Sequence, residues 1–381
     1  MNKPLLVLNA GSSSIKLTLF DAGLREVLTG VADAIGGASS LRVGEMRRDM
    51  PMPDHIAALA AILDALAGQG VTLDGLGAVG HRVVHGGTAL TAPTRITPRT
   101  RAAIADCIPL APLHNPHNLA AIDAITALAP DLPQVACFDT AFHASNPALA
   151  TEYALPPEIT AQGIRRYGFH GLSYAALTRL LPEVAGHLPQ RLLACHLGNG
   201  ASLCAIRDGQ SVATTMGYSP LEGLTMGTRT GSIDGNAVLR LAEERGIDAT
   251  RALLNHRSGL LGLSGLSADM RALSEVGTAR ARFAIDHFCY WAARHAGSLV
   301  MAMGGLDAVV FTGGIGENAR DIRAAIVAHL GWLGAELDPE RNATNGPRLS
   351  SEASRVAIWM IRADEEREIA RGVQSVLRAQ A

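Results

Sequence analysis

Residues 5–16 read LLVLNAGSSSIK, and residues 192–206 read LLACHLGNGASLCAI. In each, an apolar run suited to a buried strand stops at small polar residues, and an alternating run follows. In the first, Leu5–Leu8 is the strand, Gly11–Ser14 the turn and Ile15–Phe20 the second strand, ending at Asp21-Ala22-Gly23. In the second, the turn is Gly198-Asn199-Gly200. The same strand–turn–strand shape opens each half of the chain, which points to an internal duplication. A third glycine run, Gly313-Gly314-Ile315-Gly316, follows the apolar stretch Ala308–Phe311. It predicts a strand, a tight turn and a helix starting near Asn318, whose N-terminus would face an anion or polar ligand.

Working outward, Asn115-Pro116 opens a helix through Leu128, with proline suited to the first turn. Ser173 opens another toward Leu181, Arg280–Met303 is a long helix, and Asp364-Glu365-Glu366 places carboxylates at the start of the last one. Strands alternate with helices throughout, so the fold class is α/β. The repeat sets a boundary after the segment Asp139–His143, with the C-terminal helix returning to the first half. The expected domains are 1–143 plus 365–381, and 144–364.

At 381 residues and 48% hydrophobic, the chain can build two cores. A net charge of −2 gives no bulk attraction to nucleic acid or anionic lipid, so any anion needs a local site. Five scattered cysteines without a C-x-x-C argue for a reducing compartment and against a disulfide framework or zinc module. The N-terminus carries no apolar segment with a cleavage site, and Ala296–Gly316 is broken by Gly304-Gly305 and Asp307. A cytoplasmic chain with no nucleic-acid or membrane partner is expected. Of its basic residues only Lys3 and Lys16 are lysines, and Lys16 closes the serine loop.

Walker A is absent, as are the H-R-D and D-F-G kinase signatures, and GGIGEN lacks the full dinucleotide spacing. What remains is a pair of strand–turn–strand loops whose hydroxyls and amides hold phosphate oxygens, with Lys16 as a point charge. The histidine pairs His81/His85 and His114/His117 lack H-E-x-x-H and a nearby cysteine pair, so a structural or substrate-pocket role is expected instead of zinc. Taken alone, other residues keep plainer readings. Asp139 suits a strand-end turn, His170 a packed histidine, Arg82 and Arg229 salt bridges. Glu365 suits a helix dipole, and Gly198–Gly200 a simple hairpin.

Eight motifs, in order, resemble the short-chain acyl kinases of the acetate kinase family: VLNAGSSSIK, GHRVVHGG, DTAFH, RRYGFHG, HLGNGASL, MGYSPLEGLTMGTRTG, FTGGIGEN and DEE. The resemblance spans nearly the whole chain. It implies a duplicated two-domain actin-like ATPase fold of the ribonuclease H type, with the active site in the interdomain cleft. It further implies reversible phosphoryl transfer from ATP to a small carboxylate, with Mg2+ (Mn2+ as the alternative) and a homodimer. Carried over position by position, Asn9 and Glu365 would serve the metal, and Ser12, Ser14 and Lys16 would lie at the phosphates. Arg82 would bind the carboxylate, with Val84, Leu113, Phe169 and Pro220 as a small apolar acyl pocket. Asp139 would be the acidic catalytic residue, and His170 and Arg229 would stabilise the transferring phosphoryl group. His196, Leu197, Gly198, Asn199 and Gly200 would form the second phosphate loop. Asp269, Met270 and Arg271, with Gly314, Ile315, Gly316, Glu317 and Asn318, would hold the nucleoside side.

These roles agree with the chemistry. Phosphoryl transfer needs alignment and charge neutralisation, and guanidinium forks match both carboxylate and phosphate. The small pocket suggests acetate first, with propionate or another short acid as the alternative. A silent sensor of nucleotide or acyl phosphate is the rival of a different class. Ala213, Ser232, Gly235 and Ala363 depart from the family pattern, none of them at a residue assigned to the chemistry.

Overall fold

Leu5–Ala10 (β1) and Ile15–Phe20 (β2) pair antiparallel from Leu5↔Phe20 to Ala10↔Ile15. The Gly11 amide donates to the Ser14 carbonyl at 2.8 Å, which closes the turn between them. The computed structural model describes residues 3–379, in two units: Met1–Phe142 with Asp364–Ala381, and His143–Ala363.

The first unit adds Glu26–Asp33 (β3), Ser40–Val43 (β4), Met46–Asp49 (β5), Ala78–Val83 (β6), Thr94–Arg95 (β7) and Gln134–Phe138 (β8). Their order is β5-β4-β3-β2-β1-β6-β8-β7. The second unit contains Arg191–Leu197 (β9), Ala201–Arg207 (β10), Gln210–Thr214 (β11), Ala308–Thr312 (β12) and Ala357–Met360 (β13), in the order β11-β10-β9-β12-β13.

The five strands of the second sheet correspond one to one to β3, β2, β1, β6 and β8 of the first, with β3 antiparallel to β2 as β11 is to β10. β1 is antiparallel to β2 and parallel to β6, which is parallel to β8. β9 is antiparallel to β10 and parallel to β12, which is parallel to β13. The duplication expected from the two opening loops therefore extends to a five-stranded sheet core, to which β4, β5 and β7 are added in the first unit.

The parallel strands read as continuous apolar runs because both faces are covered. β8 and β12 are buried at every residue. In the first unit Leu6, Leu8, Ile15, Leu17, Ile62, Val79 and Ile125 share one core. Each such side chain contributes about 1.5–3 kcal/mol by leaving water. The last helix, Glu365–Arg378, lies against β1, β6 and β8. Gly80 makes that approach possible: a methyl built on it would stand 2.8 Å from methyls of both Ile369 and Val373.

Helices form at Asn115–Leu128 and Ala279–Met303. The helix expected from Ser173 starts two residues earlier and spans Gly171–Ala185. The GGIGEN segment corrects its expectation. The helix expected near Asn318 is present as Arg320–His329, but the glycines before it are not only a turn: Gly313–Asn318 is itself helical. The turn needs only Gly313, at φ +76°, whose amide donates to Glu317 Oε1 at 3.1 Å. That side-chain cap lets the helix begin inside the glycine run. Among the described residues no helix is long and apolar enough to cross a membrane, and the five cysteines are free and buried.

Candidate active site

In the first unit the charged and polar side chains gather at the strand ends. Arg82, near the end of β6, donates from Nε and Nη2 to the two carboxylate oxygens of Asp139, at 3.0 and 2.6 Å. Its Nη1 donates to Asn9 Oδ1 on β1 at 3.1 Å. Asp139 follows β8 and is buried, with its amide on the Val83 carbonyl at 3.1 Å. Burial alone would lower the Arg82 pKa; the Asp139 carboxylate, with Glu365 and Glu366, outweighs it and holds the pKa above the ordinary value. Arginine has five N–H donors. These contacts leave one on each Nη, a fork that fits a second carboxylate.

Glu365 begins the last helix. Loss of hydration pushes its carboxyl up to about 7; Asp139 and Glu366 add to the rise, while Arg82 and Lys16 oppose it. Lys16 and Ser12 are exposed and Ser14 half-exposed at the first turn. Asn9, Asp139, Glu365 and Glu366 form an all-oxygen donor set, the kind a hard divalent cation takes. Among the described residues, no three Asp, Glu, His or Cys side chains converge as a closed metal site. An open set fits an ion that keeps water and substrate oxygens.

The motif around His114 and His117 acts through its asparagines. Asn118 Oδ1 accepts the Val84 amide at 3.1 Å and its Nδ2 donates to the Ala10 carbonyl at 2.8 Å. Asn115 accepts the His85 amide and donates back to the His85 carbonyl, both at 3.1 Å. They fix the loop after Arg82 to the end of β1. Three of the four histidines have side-chain partners here, and the fourth acts through its backbone. His81 bonds Gln134 at 2.8 Å, His85 Nδ1 accepts the Gly87 amide at 2.9 Å, and His117 stacks on His55 at 4.2 Å. His114 caps the helix Asn115–Leu128 through its backbone. His55 in turn donates from Nε2 to the Gly11 carbonyl at 2.6 Å, bracing the first loop. Val84 is buried and Leu113 exposed.

In the second unit His170 precedes the helix Gly171–Ala185 with φ +59°, a left-handed conformation costing a non-glycine about 1–2 kcal/mol. Such strain is often kept at functional sites. His143 Nε2 donates to the Phe169 carbonyl at 2.9 Å and its Nδ1 accepts from Ser211 at 2.8 Å, which holds the strained turn. Phe169 is buried. His170 stacks on His196, centroids 4.1 Å apart. Arg229 Nη1 donates to the Pro220 carbonyl at 3.2 Å. A methyl built on Gly200 would stand 3.4 Å from His170 Nε2 and 3.6 Å from Arg229 Nη1. The turn of the second loop thus faces both groups.

A cavity of about 650 Å³ in this unit is lined by Gly198, Asn199, Asp269, Met270, Arg271, Gly314, Ile315 and Asn318, among others. Its size suits a small ligand. Not every side chain there is turned outward. Asp269 Oδ1 caps its helix through the Ala272 amide at 2.8 Å, and Asn318 Nδ2 bonds the Gly314 carbonyl at 2.9 Å. Glu317 Oε1 takes the Gly313 and Ala363 amides. Leu197 and Gly316 are buried and shape the backbone. Arg323, fully buried, fastens this wall: it donates to the Gly316 and Glu317 carbonyls, each at 2.9 Å, and to Asn342 and Asn345.

Sequence reasoning missed His143, Asn115, Asn118 and Arg323. The first three stand inside quoted motifs or beside flagged histidines; Arg323 carried no signal beyond its helix.

The profile of the Acetokinase family matches residues 4–371. The acetate kinase of Rhodopseudomonas palustris is 46% identical over 391 residues, covering 98% of each chain. That of Deinococcus deserti is 44% identical over 394 residues, also covering 98% of each. Among solved structures, a propionate kinase from Francisella tularensis superposes with a TM-score of 0.93 at 36% identity, covering 98% of this chain and 100% of that one. The Porphyromonas gingivalis acetate kinase superposes at 0.89, with the same identity and coverage. From its ordered motifs, its duplicated sheets and a match running from residue 4 to residue 371, this chain belongs to the acetokinase family.

Proposed function

We propose that the chain is an ATP-dependent acetate kinase, moving the γ-phosphoryl group of ATP directly to acetate and back. The observation that carries the reading is the convergence of His170 Nε2 and Arg229 Nη1 on the Gly200 turn, 3.4 and 3.6 Å from the position a Cβ would take there. Two donors there neutralise the equatorial oxygens of a phosphoryl group in transfer, which is most of what this reaction asks of a protein.

A substrate carboxylate is already ionised near neutral pH, so it needs no general base. Arg82 holds it with its remaining fork, and Asp139 keeps the guanidinium turned the right way. Val84, Leu113, Phe169 and Pro220 are assigned to its methyl group. The loops at Ser12–Lys16 and His196–Gly200 hold phosphate oxygens by hydroxyl, amide and lysine contacts. The residues lining the 650 Å³ cavity hold the nucleoside. The family works with ATP and a divalent metal; we assign Mg2+, with Asn9 and Glu365 as its holders and Asp139 and Glu366 beside them. Bound Mg2+ supplies charge neutralisation at the phosphate oxygens.

The domains are read as 1–143 plus 365–381 for carboxylate and phosphate, and 144–364 for nucleotide. A cytoplasmic homodimer completes the reading, with the buried free cysteines supporting a reducing compartment.

The test is a hydroxylamine trap with purified protein, Mg-ATP and acetate, propionate or butyrate. Acyl hydroxamate greatest with acetate is the expected result. The propionate kinase likeness favours a second reading, and a maximum at propionate would support it. Nucleotide binding with no hydroxamate from any acid would leave the sensor.

A further inference from the structure

We propose that Tyr174 and Ser202 form a buried hydrogen-bond relay that fixes His170 with its proton on Nε2, the nitrogen facing Gly200. The proposal rests on the reading of His170 as a donor to the transferring phosphoryl group.

The relay runs through three side chains of the second unit. The Tyr174 hydroxyl lies 2.5 Å from Ser202 Oγ, and Ser202 Oγ lies 2.9 Å from His170 Nδ1. Tyr174 and Ser202 are both fully buried. Tyr174 sits one turn along the helix from His170, with its amide on the His170 carbonyl at 3.1 Å. Ser202 stands on β10 opposite His196 of β9. Both relay residues are therefore set by regular elements, Tyr174 by a helix and Ser202 by a sheet.

The direction of the protons follows from each group's capacity. Burial, the largest influence, keeps the Tyr174 phenol protonated, and the His196 amide hydrogen-bonds to its oxygen. The phenol oxygen thus has an amide donor of its own, and in the proposed relay its proton runs to Ser202 Oγ. Ser202 has one proton, which then points to His170 Nδ1. A nitrogen that accepts must be bare, so the neutral ring carries its hydrogen on Nε2. Nε2 is also the ring nitrogen nearest to the Gly200 position. The neighbouring ring repeats the device: His196 Nδ1 meets Ser173 Oγ at 2.9 Å, and Ser173 is fully buried. Stacking the two imidazoles fixes the plane in which Nε2 points.

Tyr174 and Ser202 are positioning residues, since they act through His170. The test uses the full chain labelled with 15N-histidine, with long-range 15N–1H correlation NMR reporting the His170 tautomer, beside steady-state kinetics. The parent should show His170 protonated on Nε2. Ser202→Ala should give a mixture of tautomers and lower kcat about 10-fold, with KM for ATP and acetate within about 2-fold, the low end of the 10–100-fold cost of removing the orienting partner of a metal-bound histidine. Ser202→Thr, which restores a hydroxyl, should recover both readouts. Should Ser202→Ala not fold, Tyr174→Phe removes one oxygen and should produce the same shift in smaller measure. His170→Ala is run alongside. If it leaves kcat intact, the role assigned to His170 is wrong. If it abolishes turnover while Ser202→Ala and Tyr174→Phe keep the parental tautomer or the parental kcat, the relay is overturned and His170 stands without it.

Discussion

Arg82 and Asp139 are locked edge to edge, with Nε and Nη2 of the guanidinium on the two oxygens of one carboxylate at 3.0 and 2.6 Å. Asp139 is nearly out of solvent, at 2% side-chain exposure, and Arg82 is half-buried, at 22%. Breaking a buried pair from one side strands the other charge. Asp139→Ala should therefore destabilise the fold by about 3 kcal/mol, read as a lower urea midpoint. Arg82→Ala should raise KM for the carboxylate by tenfold or more on the order of a lost charged hydrogen bond, with KM for ATP little changed. Equal rises in both KM values would remove Arg82 from the substrate.

Gly200→Ala separates folding from catalysis. The added methyl meets its neighbours at 3.4–3.6 Å, an ordinary contact, so the thermal midpoint should hold. The same methyl occupies the space between His170 and Arg229. The rate should fall about 100-fold or more, as for an ångström of misplacement at a reacting centre. Parental kcat in a folded Gly200→Ala protein would show that the phosphoryl group does not pass there.

Arg323 uses five hydrogen bonds to carbonyl and asparagine oxygens to pin the helix Gly313–Asn318. Arg323→Met should cost about 2–4 kcal/mol, because it leaves buried carbonyls without their donors. It should also raise KM for ATP while sparing KM for acetate. Unchanged ATP affinity in the folded variant would reduce Arg323 to a purely structural element.

Acid should weaken the fold through buried histidines. Burial pushes His81 and His143 down to about 4 against an ordinary 6.5, with hydrogen bonds to Gln134 and Phe169 opposing the shift. The unfolded chain binds these protons first. Stability is therefore complete above pH 6.5 and falls as pH drops toward 4, by about 1.4 kcal/mol per pH unit for each histidine. Urea midpoints at pH 7 and pH 5 check this, and His81→Gln should flatten the slope. A midpoint that rose on acidification would contradict it.

The apolar-then-polar break at Asn9, and its echo at Leu197, were legible because a strand ending in small residues has few other uses. The echo implied the second sheet before any strand order was known. Strand-end Asp139 and helix-start Glu365 were placed for the same reason: their positions follow from local pattern. The supports were harder to read. Ser202 and Tyr174 lie in runs that look like plain core, and their partners are distant in sequence. In the segment 114–118 the histidines drew attention while Asn115 and Asn118 held the loop. GGIGEN suggested a turn by composition, and only the Glu317 carboxylate folding back on Gly313 made it a helix.

The last helix completes the first sheet from the far end of the chain. During synthesis the first unit must wait, its Gly80 groove uncovered, until all of the second unit has left the ribosome. Glu365 reaches Arg82 and Asp139 only then. Nascent chains halted before residue 364 should therefore hold an unfinished first unit beside a second unit free to fold. Phosphoryl transfer would switch on only as this helix docks, so turnover itself reports that the first unit is assembled.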